Sequence, residues 1–387
     1  MKKNNNTLGT AALLFIAAMA LLGGCTGQNS RGGIEVIDLY RYEDGGTLTD
    51  AMLDSLATET RFIELTADGD LTIPANPIKV KFAGNVTGTD GPAQDTGSGK
   101  TGGRIEDRIY VMDNPAIREY RLLAFDSNGR FIRQIGAMGR GPGEYLGISD
   151  FATAPDGSVW IEDAVANNLI HYGKDLRHIC TVPTSYDADC MEFLEDGNLI
   201  VNLSHWNPDL IRIAVTDTLF GEENRRTVIR YSYEPNPYIH YGSGQLNKVR
   251  EGWLHNYPPF GDVYLFDSRD GELKQHCFLD FGPDKITPED VLEVGDGDGN
   301  DDMKLIQSID DHIFLLKIAD LSDDYVIGRM NDKGQYTDFI ADRKNRIIYK
   351  SKPGSLSRIL GQSGEWTVSL VAPDTDSGHY KLALRKF

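Results

Sequence analysis

Apolar and polar positions alternate in short runs along most of the chain, and each run ends in a turn signal. Residues 108–113 read RIYVMD, and 122–136 read LLAFDSNGRFIRQIG, two strands hinged on a turn from Asp126 to Gly129. The cadence returns in SVWIED at 158–163 and NLIHYGKDLRHICTV at 168–182, then more weakly at 262–281 and 312–340. Alternation over about 4 to 6 residues, with turns every 8 to 12, predicts an all-β sandwich, barrel or propeller. Recurrence at about 40 to 60 residues favours the propeller. One four-stranded blade cannot bury both faces alone, so blades stack radially around a channel. The 41 Gly and 16 Pro spread through the chain leave little room for long helices.

The N-terminus departs from this rhythm. Lys2 and Lys3 precede an uncharged stretch, 7–24, centred on ALLFIAAMALL, as a secretory signal requires. It closes on Leu22, Gly23, Gly24 and Cys25, which resembles the lipobox of bacterial lipoproteins. That resemblance implies removal of residues 1–24 and acylation of Cys25, palmitate included. About 18 uncharged residues would also just span a bilayer as an uncleaved helix. The polar, glycine-rich tail after Cys25 favours the lipoprotein. Several acyl chains on one residue make a stable anchor, so the membrane is the first expected partner. Thr26 stands where an inner-membrane retention signal would place Asp. An outer-membrane lipoprotein is expected, facing the periplasm or the cell surface. Outside the cytoplasm disulfides persist, and Cys180 and Cys190 either bridge across a turn or remain free thiols, with Cys277 left over.

Charge narrows the partners. Lysine and arginine number 39 against 58 acidic side chains, a net charge of −19 that becomes −21 once Lys2 and Lys3 leave with the signal. Such a surface repels phosphate backbones, so nucleic acid is excluded as a partner. A monomer is expected.

The most distinctive segment is IGAMGRGPGEYLGISDF at 135–151. The string QIGAMGRGPGEY followed by ISDFATAPDGSVWIED resembles the six-bladed β-propeller lipoproteins of Gram-negative anaerobes, which are similar to NHL-repeat propellers. LTDAMLDSLATETRFIEL at 48–65 is similar to that family's lead-in, and HYKLALRKF at 379–387 to its last strand. The resemblance is tight over 105–180, loose after 200, and broken between Asp70 and Arg104, where a flexible inserted loop is expected. It implies a signal peptide (1–24), a lipidated tether and lead-in (25–58), and a six-bladed propeller (59–387) of about 55 residues per blade. Seven blades of about 47 would fit the count equally well. A closed ring leaves no edge strand exposed, so an early strand is expected to pair with the last blade.

Several apparent motifs dissolve on inspection. GSGKT at 97–101 lacks the P-loop's first glycine, where Gln94 stands, and DTGS at 95–98 has no second copy to complete an aspartic-protease dyad. No HExxH, CxxC or GxSxG is present. VGDGDGNDDM at 294–303 puts Asp296, Asp298 and Asn300 at the alternate positions of a calcium loop, but Asp301 replaces its glycine and Gln307 its final glutamate. A non-helical calcium turn using Asp296, Asp298, Asn300 and Asp302 and a plain solvated acidic loop both stay open. The four tryptophans read as blade core.

Arg140, Glu144, Tyr145 and Asp150 are the candidate ligand-binding residues, on a connection that would pass toward the channel face. The alternative is a purely structural loop, with Gly139, Gly141 and Gly143 supplying turns and Glu144 pairing with Arg140. Two functions follow: a non-catalytic propeller binding a small molecule, glycan or protein at its channel face, or a metal-dependent propeller enzyme of the lactonase or lyase type. The second needs inward carboxylates or histidines on several inner strands, and ISDFAT supplies only Asp150.

Overall fold

The computed structural model describes residues 34–67, 74–83, 107–203, 209–231, 245–256, 258–287, 290, 309–354, 357–373 and 378–387. Cys25, the two motifs between 95 and 101, Trp206 and the Asp296, Asp298, Asn300 and Asp302 turn lie outside the described residues.

The leading segment holds β1 (Glu35–Asp38), β2 (Glu43–Leu48), α1 (Asp50–Leu56) and β3 (Glu59–Glu64). A first sheet follows in chain order: β4 (Pro77–Ala83), β5 (Arg108–Ala116), β6 (Glu119–Asp126) and β7 (Phe131–Ile135). The short β8 (Ala137–Met138) and β9 (Glu144–Tyr145) pair with each other in the connection beyond it. The second sheet is β10 (Ile148–Thr153), β11 (Val159–Asp163), β12 (Asn168–Tyr172) and β13 (His178–Pro183). The third is β14 (Ala188–Phe193), β15 (Leu199–Leu203), β16 (Ile211–Thr216) and β17 (Arg226–Arg230). Then come β18 (Leu246–Val249), β19 (Gly252–Asn256), β20 (Asp262–Phe266) and β21 (Leu273–Asp280), followed by β22 (Ile313–Leu321), β23 (Tyr325–Asp332), β24 (Gln335–Asp342) and β25 (Ile347–Ser351). The chain ends in β26 (Arg358–Gly364), β27 (Trp366–Val371) and β28 (Lys381–Lys386).

The all-β, propeller-like arrangement expected from the alternation is present, but the sheets are not six separate blades. Among the described residues hydrogen bonding gives four sheets of blade size, three with four strands and one with five, and a single nine-stranded sheet ordered β1-β21-β20-β19-β18-β26-β27-β28-β3. The join is a two-rung parallel contact, Lys248 to Ser363 and Val249 to Gly364, made where β18 and β26 converge. Two inner strands that approach this closely share backbone bonds and merge their sheets.

The lead-in is built into the body. β1 adds in parallel to β21, β2 in parallel to β25, and β3 antiparallel to β28, so residues 35–64 cover three successive outer edges. Covering these edges removes unpaired backbone that would otherwise template aggregation. Between β2 and β3, Thr49 caps α1 by accepting from Met52 N, and the helix carboxylates of Asp50 and Asp54 hold the buried Arg385 of β28.

Acidic residues also build the turns the sequence signalled. Asp126 Oδ1 accepts from Asn128 N at 2.8 Å and Arg130 N at 2.9 Å, while Gly129 takes the positive φ of +82° that closes the hairpin. Asp156, Asp175, Asp196, Asp217 and Asp267 make the same bond to the amide two residues on. Part of the chain's acidity is therefore turn chemistry.

The apolar core is divided among the contacts of consecutive strand groups. Met112, Leu122 and Ala124 pack on Phe151, Val159 and Ile161; Trp160 and Leu169 on Met191 and Leu199; Ile200 and Ile213 on Trp253 and Phe266. Leu254 and Val263 meet Leu315 and Val326, and Ile327 and Ile340 meet Ile359. Leu360, Trp366 and Leu384 return to Ile109, Val111 and Phe125. Trp160, Trp253 and Trp366 are buried, as their reading as core residues requires.

The glycine-rich string 84–104 expected to loop out lies outside the described residues, and the segment before it is a strand. PIKVKFA forms β4, the innermost strand of the first sheet, and it carries Lys79 and Lys81 on one face.

Candidate functional site

A bulge recurs on the first strand of five of the six groups, and β18 pairs with β19 without one. The register between innermost strand and partner shifts between Pro77 and Lys79, Ile148 and Asp150, Ala188 and Cys190, Leu315 and Lys317, and Ile359 and Gly361. An extra residue in one strand bends it and re-aims the side chain that follows. Lys79, Asp150 and Lys317 thus occupy equivalent register positions on different inner strands. None of these bulges has a composition signal.

Around Asp150 lies a buried ion cluster. Its carboxylate accepts from Lys79 Nζ at 2.8 Å, Lys81 Nζ at 3.0 Å and Met191 N at 2.9 Å. Lys81 also pairs with Glu192 at 2.8 Å, donates to the carbonyls of Met191 and Phe151, and lies 5.0 Å from the Phe151 ring centre. Burial would push Asp150 up, but the two ammonium groups outweigh it and hold the carboxyl below its ordinary value. For Glu192 burial wins over Lys81 and pushes the carboxyl up to about 7. Glu162, on β11, is raised well above its ordinary value by burial, with Asp187, Asp163 and Asp150 adding repulsion.

Lys79, Lys81, Asp150 and Glu192 line a cavity of about 640 Å³. It is lined by the ends of inner strands and the turns after them, including Lys79, Lys81, Asp150, Glu192, Asn247 and Gln362, with Phe82, Phe193 and Trp253 as apolar wall. A smaller hollow bounded by Asp156, Ser158, Trp160, His171, Glu195 and Thr218 shares Ala154, Pro155, Asp156, Phe193 and Glu195 with it. A concave site with apolar walls and a few converging polar groups is the usual form of a small-ligand site. Among the described residues, no three His, Cys, Asp or Glu side chains are placed to hold a metal ion.

The profile of a family described as Domain of unknown function, DUF4934, matches residues 101–365. The chain belongs to the DUF4934 family. No curated protein matches it. Among solved structures, a Bacteroides fragilis protein described as exported is 17% identical with a TM-score of 0.65, covering 91% of this chain and 99% of its own. A DUF4221 family member from Bacteroides vulgatus is 10% identical with a TM-score of 0.47, covering 86% of this chain and 96% of its own. The first likeness is one of fold.

The DUF4934 chain separates the residues the sequence grouped. Asp150 lines the cavity, whereas Arg140, Glu144 and Tyr145 belong to the connection that enters β10 at its other end. Arg140 is exposed, and the Glu144 carboxylate accepts from Gly141 N at 2.7 Å instead of pairing with Arg140. Tyr145 is fully buried against Ile135 and Ile148, and Gly143 holds φ +72° while its carbonyl accepts from Tyr172 Oη at 2.5 Å. These contacts make the glycine loop a packing element. Cys180, Cys190 and Cys277 are free thiols. Among the described residues, no helix of the DUF4934 chain is long and apolar enough to cross a membrane.

Lys79, Lys81, Glu192 and Lys317 were not singled out by sequence reasoning. Two lysines at period two in an apolar strand were the available signal for the first pair, hidden because the segment lies where the family resemblance breaks.

Stability of the DUF4934 chain is expected to fall as pH rises from about 5 to 8. Glu192 binds its proton up to about 7 when folded, against an ordinary 4.5 when unfolded, so the folded state holds the extra proton between these values. The stabilisation is complete below the unfolded value and lost as pH passes the folded one, an effect of about 3 kcal/mol. Glu162 acts in the same direction, and Asp150 oppositely, its contribution vanishing only in acid. Urea unfolding at pH 5, 6.5 and 8 should show the slope in the wild type and a flatter one in Glu192→Gln; equal slopes would refute it.

Proposed function

We propose that this chain is an exported, lipid-anchored, six-bladed propeller that binds a small molecule, glycan or protein partner at its channel mouth without catalysis. The observation that carries the binding reading is the cavity itself, 640 Å³ and built from the inner strands of several sheets. Two of the four carboxylates in its lining, Asp150 and Glu192, are engaged by lysines, which supports binding over turnover. The six-blade count draws on the nine-stranded sheet, which divides at its two-rung contact into β18–β21 and β26–β28 with β3, and on apolar contacts that run through six groups and return to the first. The export reading draws on the Cys25 lipobox and on the fold shared with a Bacteroides fragilis protein described as exported.

The test is direct. On the purified chain, bound metal is measured and the melting temperature followed with calcium, chelator, oligosaccharides and lactones, alongside lactone turnover. A binding propeller shows a saturable rise with a ligand and no turnover. Stoichiometric metal with lactone hydrolysis would replace it by the metal-dependent lactonase or lyase. A chelator-induced loss abolished by Asp298→Ala would assign calcium to the 296–302 turn, and palmitate labelling lost in Cys25→Ser would establish the anchor.

A further inference from the structure

The buried charges that line the cavity match one another. Lys79 and Lys81 face Asp150 and Glu192, two cations against two carboxylates, through contacts of 2.8 to 3.0 Å. What is left over is hydrogen-bonding capacity of both kinds. Among the described residues Glu192, 6% exposed, gives Lys81 only its Oε1, Lys79 spends a single donor on Asp150, and the Gln245 side-chain amide has no hydrogen-bond partner. An ammonium carries three donors, a carboxylate about four acceptor sites, and an amide both kinds. Phe82, Phe193 and Trp253 supply apolar wall beside these groups.

The space does not end at that wall. The smaller hollow, about 380 Å³, shares Ala154, Asp156, Phe193 and Glu195 with the cavity and continues to Trp160 and Thr218. Trp160 lies 6.2 Å from Phe193, ring centre to ring centre, and stacks on His171 at 3.9 Å, so aromatic surface runs from one hollow into the other. Both volumes lie within the range of small-ligand sites, and the joined space therefore takes more than one ring-sized unit. Charge differs along it. The smaller hollow is lined by Asp156, Glu195 and Asp196 with neither lysine nor arginine, whereas the larger cavity holds Lys79 and Lys81. A chain ligand carrying an anion on every unit would be repelled by those carboxylates, and one carrying an ammonium on every unit would lose its water against lysines whose carboxylates are already taken.

We propose that the two hollows are consecutive subsites for an uncharged oligosaccharide, with one ring against Phe193 and Trp253 and its hydroxyls on Glu192, Gln245 and Lys79, and the next running past Phe193 toward Trp160 and Thr218. This rests on the channel-binding reading and names the class of its ligand. A pyranose ring brings a face of C–H bonds to an aromatic wall and hydroxyls that each donate and accept, which matches the unspent donors and acceptors of the lining without adding charge.

Maltotriose, cellotriose, mannotriose and xylotriose, each beside its own monosaccharide, are the probes, with trigalacturonate and triglucosamine as charged counterparts. Binding to the purified chain is read by calorimetric titration and by the shift in melting temperature. At least one neutral trisaccharide should bind saturably, at least about tenfold more tightly than its monosaccharide and more tightly than either charged trimer. Glu192→Gln should weaken trisaccharide and monosaccharide alike by about tenfold, as loss of a charge-assisted hydrogen bond does. Ala154→Phe, which fills the wall the hollows share, should leave the monosaccharide bound and remove the gain from length. Thr218→Trp, which fills the smaller hollow from its far side, repeats that test if the phenylalanine variant fails to fold. No saturable binding of any neutral trisaccharide, a gain from length that survives both substitutions, or equal binding of a charged trimer would overturn the proposal. Should a lactone bind while no trisaccharide does, the saccharide falls and the channel-binding reading stands, whereas a cavity that takes no ligand from the wider screen removes both.

Discussion

Replacing Asp150 by alanine is expected to lower the unfolding free energy by about 3–5 kcal/mol, the range for breaking a buried ion pair by deleting one partner. The side chain is 1% exposed and accepts from two ammonium groups and the Met191 amide. Alanine would leave Lys81 with Glu192, but Lys79, itself 9% exposed, would lose its only partner among the described residues. The Asp150→Asn variant preserves the shape and keeps a side-chain oxygen to accept from the Met191 amide, so it should lose less. An Asp150→Leu, Lys79→Met double variant should recover much of the loss, since apolar replacement of a whole buried pair is often neutral or better. Chemical denaturation followed by tryptophan fluorescence measures all three. A loss below about 1 kcal/mol for Asp150→Ala would mean that water reaches the cluster and screens it.

Deleting residues 379–387 is expected to abolish cooperative folding. β28 lies between β27 and β3, with five register pairs to one and six to the other, so its loss unpairs both neighbours. Leu382 and Ala383 are fully buried and Leu384 nearly so, with both leucines in the core shared with Ile109 and Phe125. Arg385, 1% exposed, ties the strand to Asp50 and Asp54 of α1. The deletion would open the sheet and expose two strand edges able to pair with other chains. Circular dichroism melting and size-exclusion chromatography should show loss of a sharp transition and association. Removing residues 34–48, which withdraws β1 and β2 from outer edges only, should leave a cooperative though less stable protein. A 1–378 chain that melts cooperatively within a few degrees of the wild type would show that this closure is dispensable.

Closure was legible before the structure because both halves carry alternating apolar residues, FIEL and YKLALRKF, at opposite ends of the chain. Its helical latch was not, since Arg385 reads as an ordinary surface charge until α1 folds over it. The glycine loop shows the converse. Its composition drew attention to Arg140 and Glu144, yet the loop packs on Tyr172 and His178 and lies away from the cavity. A residue pattern can mark a fold's construction as strongly as its chemistry.

Local patterning alone determined that the protein is all-β and that aspartate-led turns join its strands, and the expectation of an export and lipidation signal rests on the same kind of information. These are short-range properties, set by alternation, turn propensity and a contiguous peptide motif. Only the tertiary structure decided which charges line the cavity, because Lys79, Asp150 and Glu192 lie on three different inner strands and are brought together by strand stacking and repeated bulges. The pKa shifts of Asp150 and Glu192 and the merging of two sheets arise from proximity between residues far apart in the chain, where no local pattern carries the information.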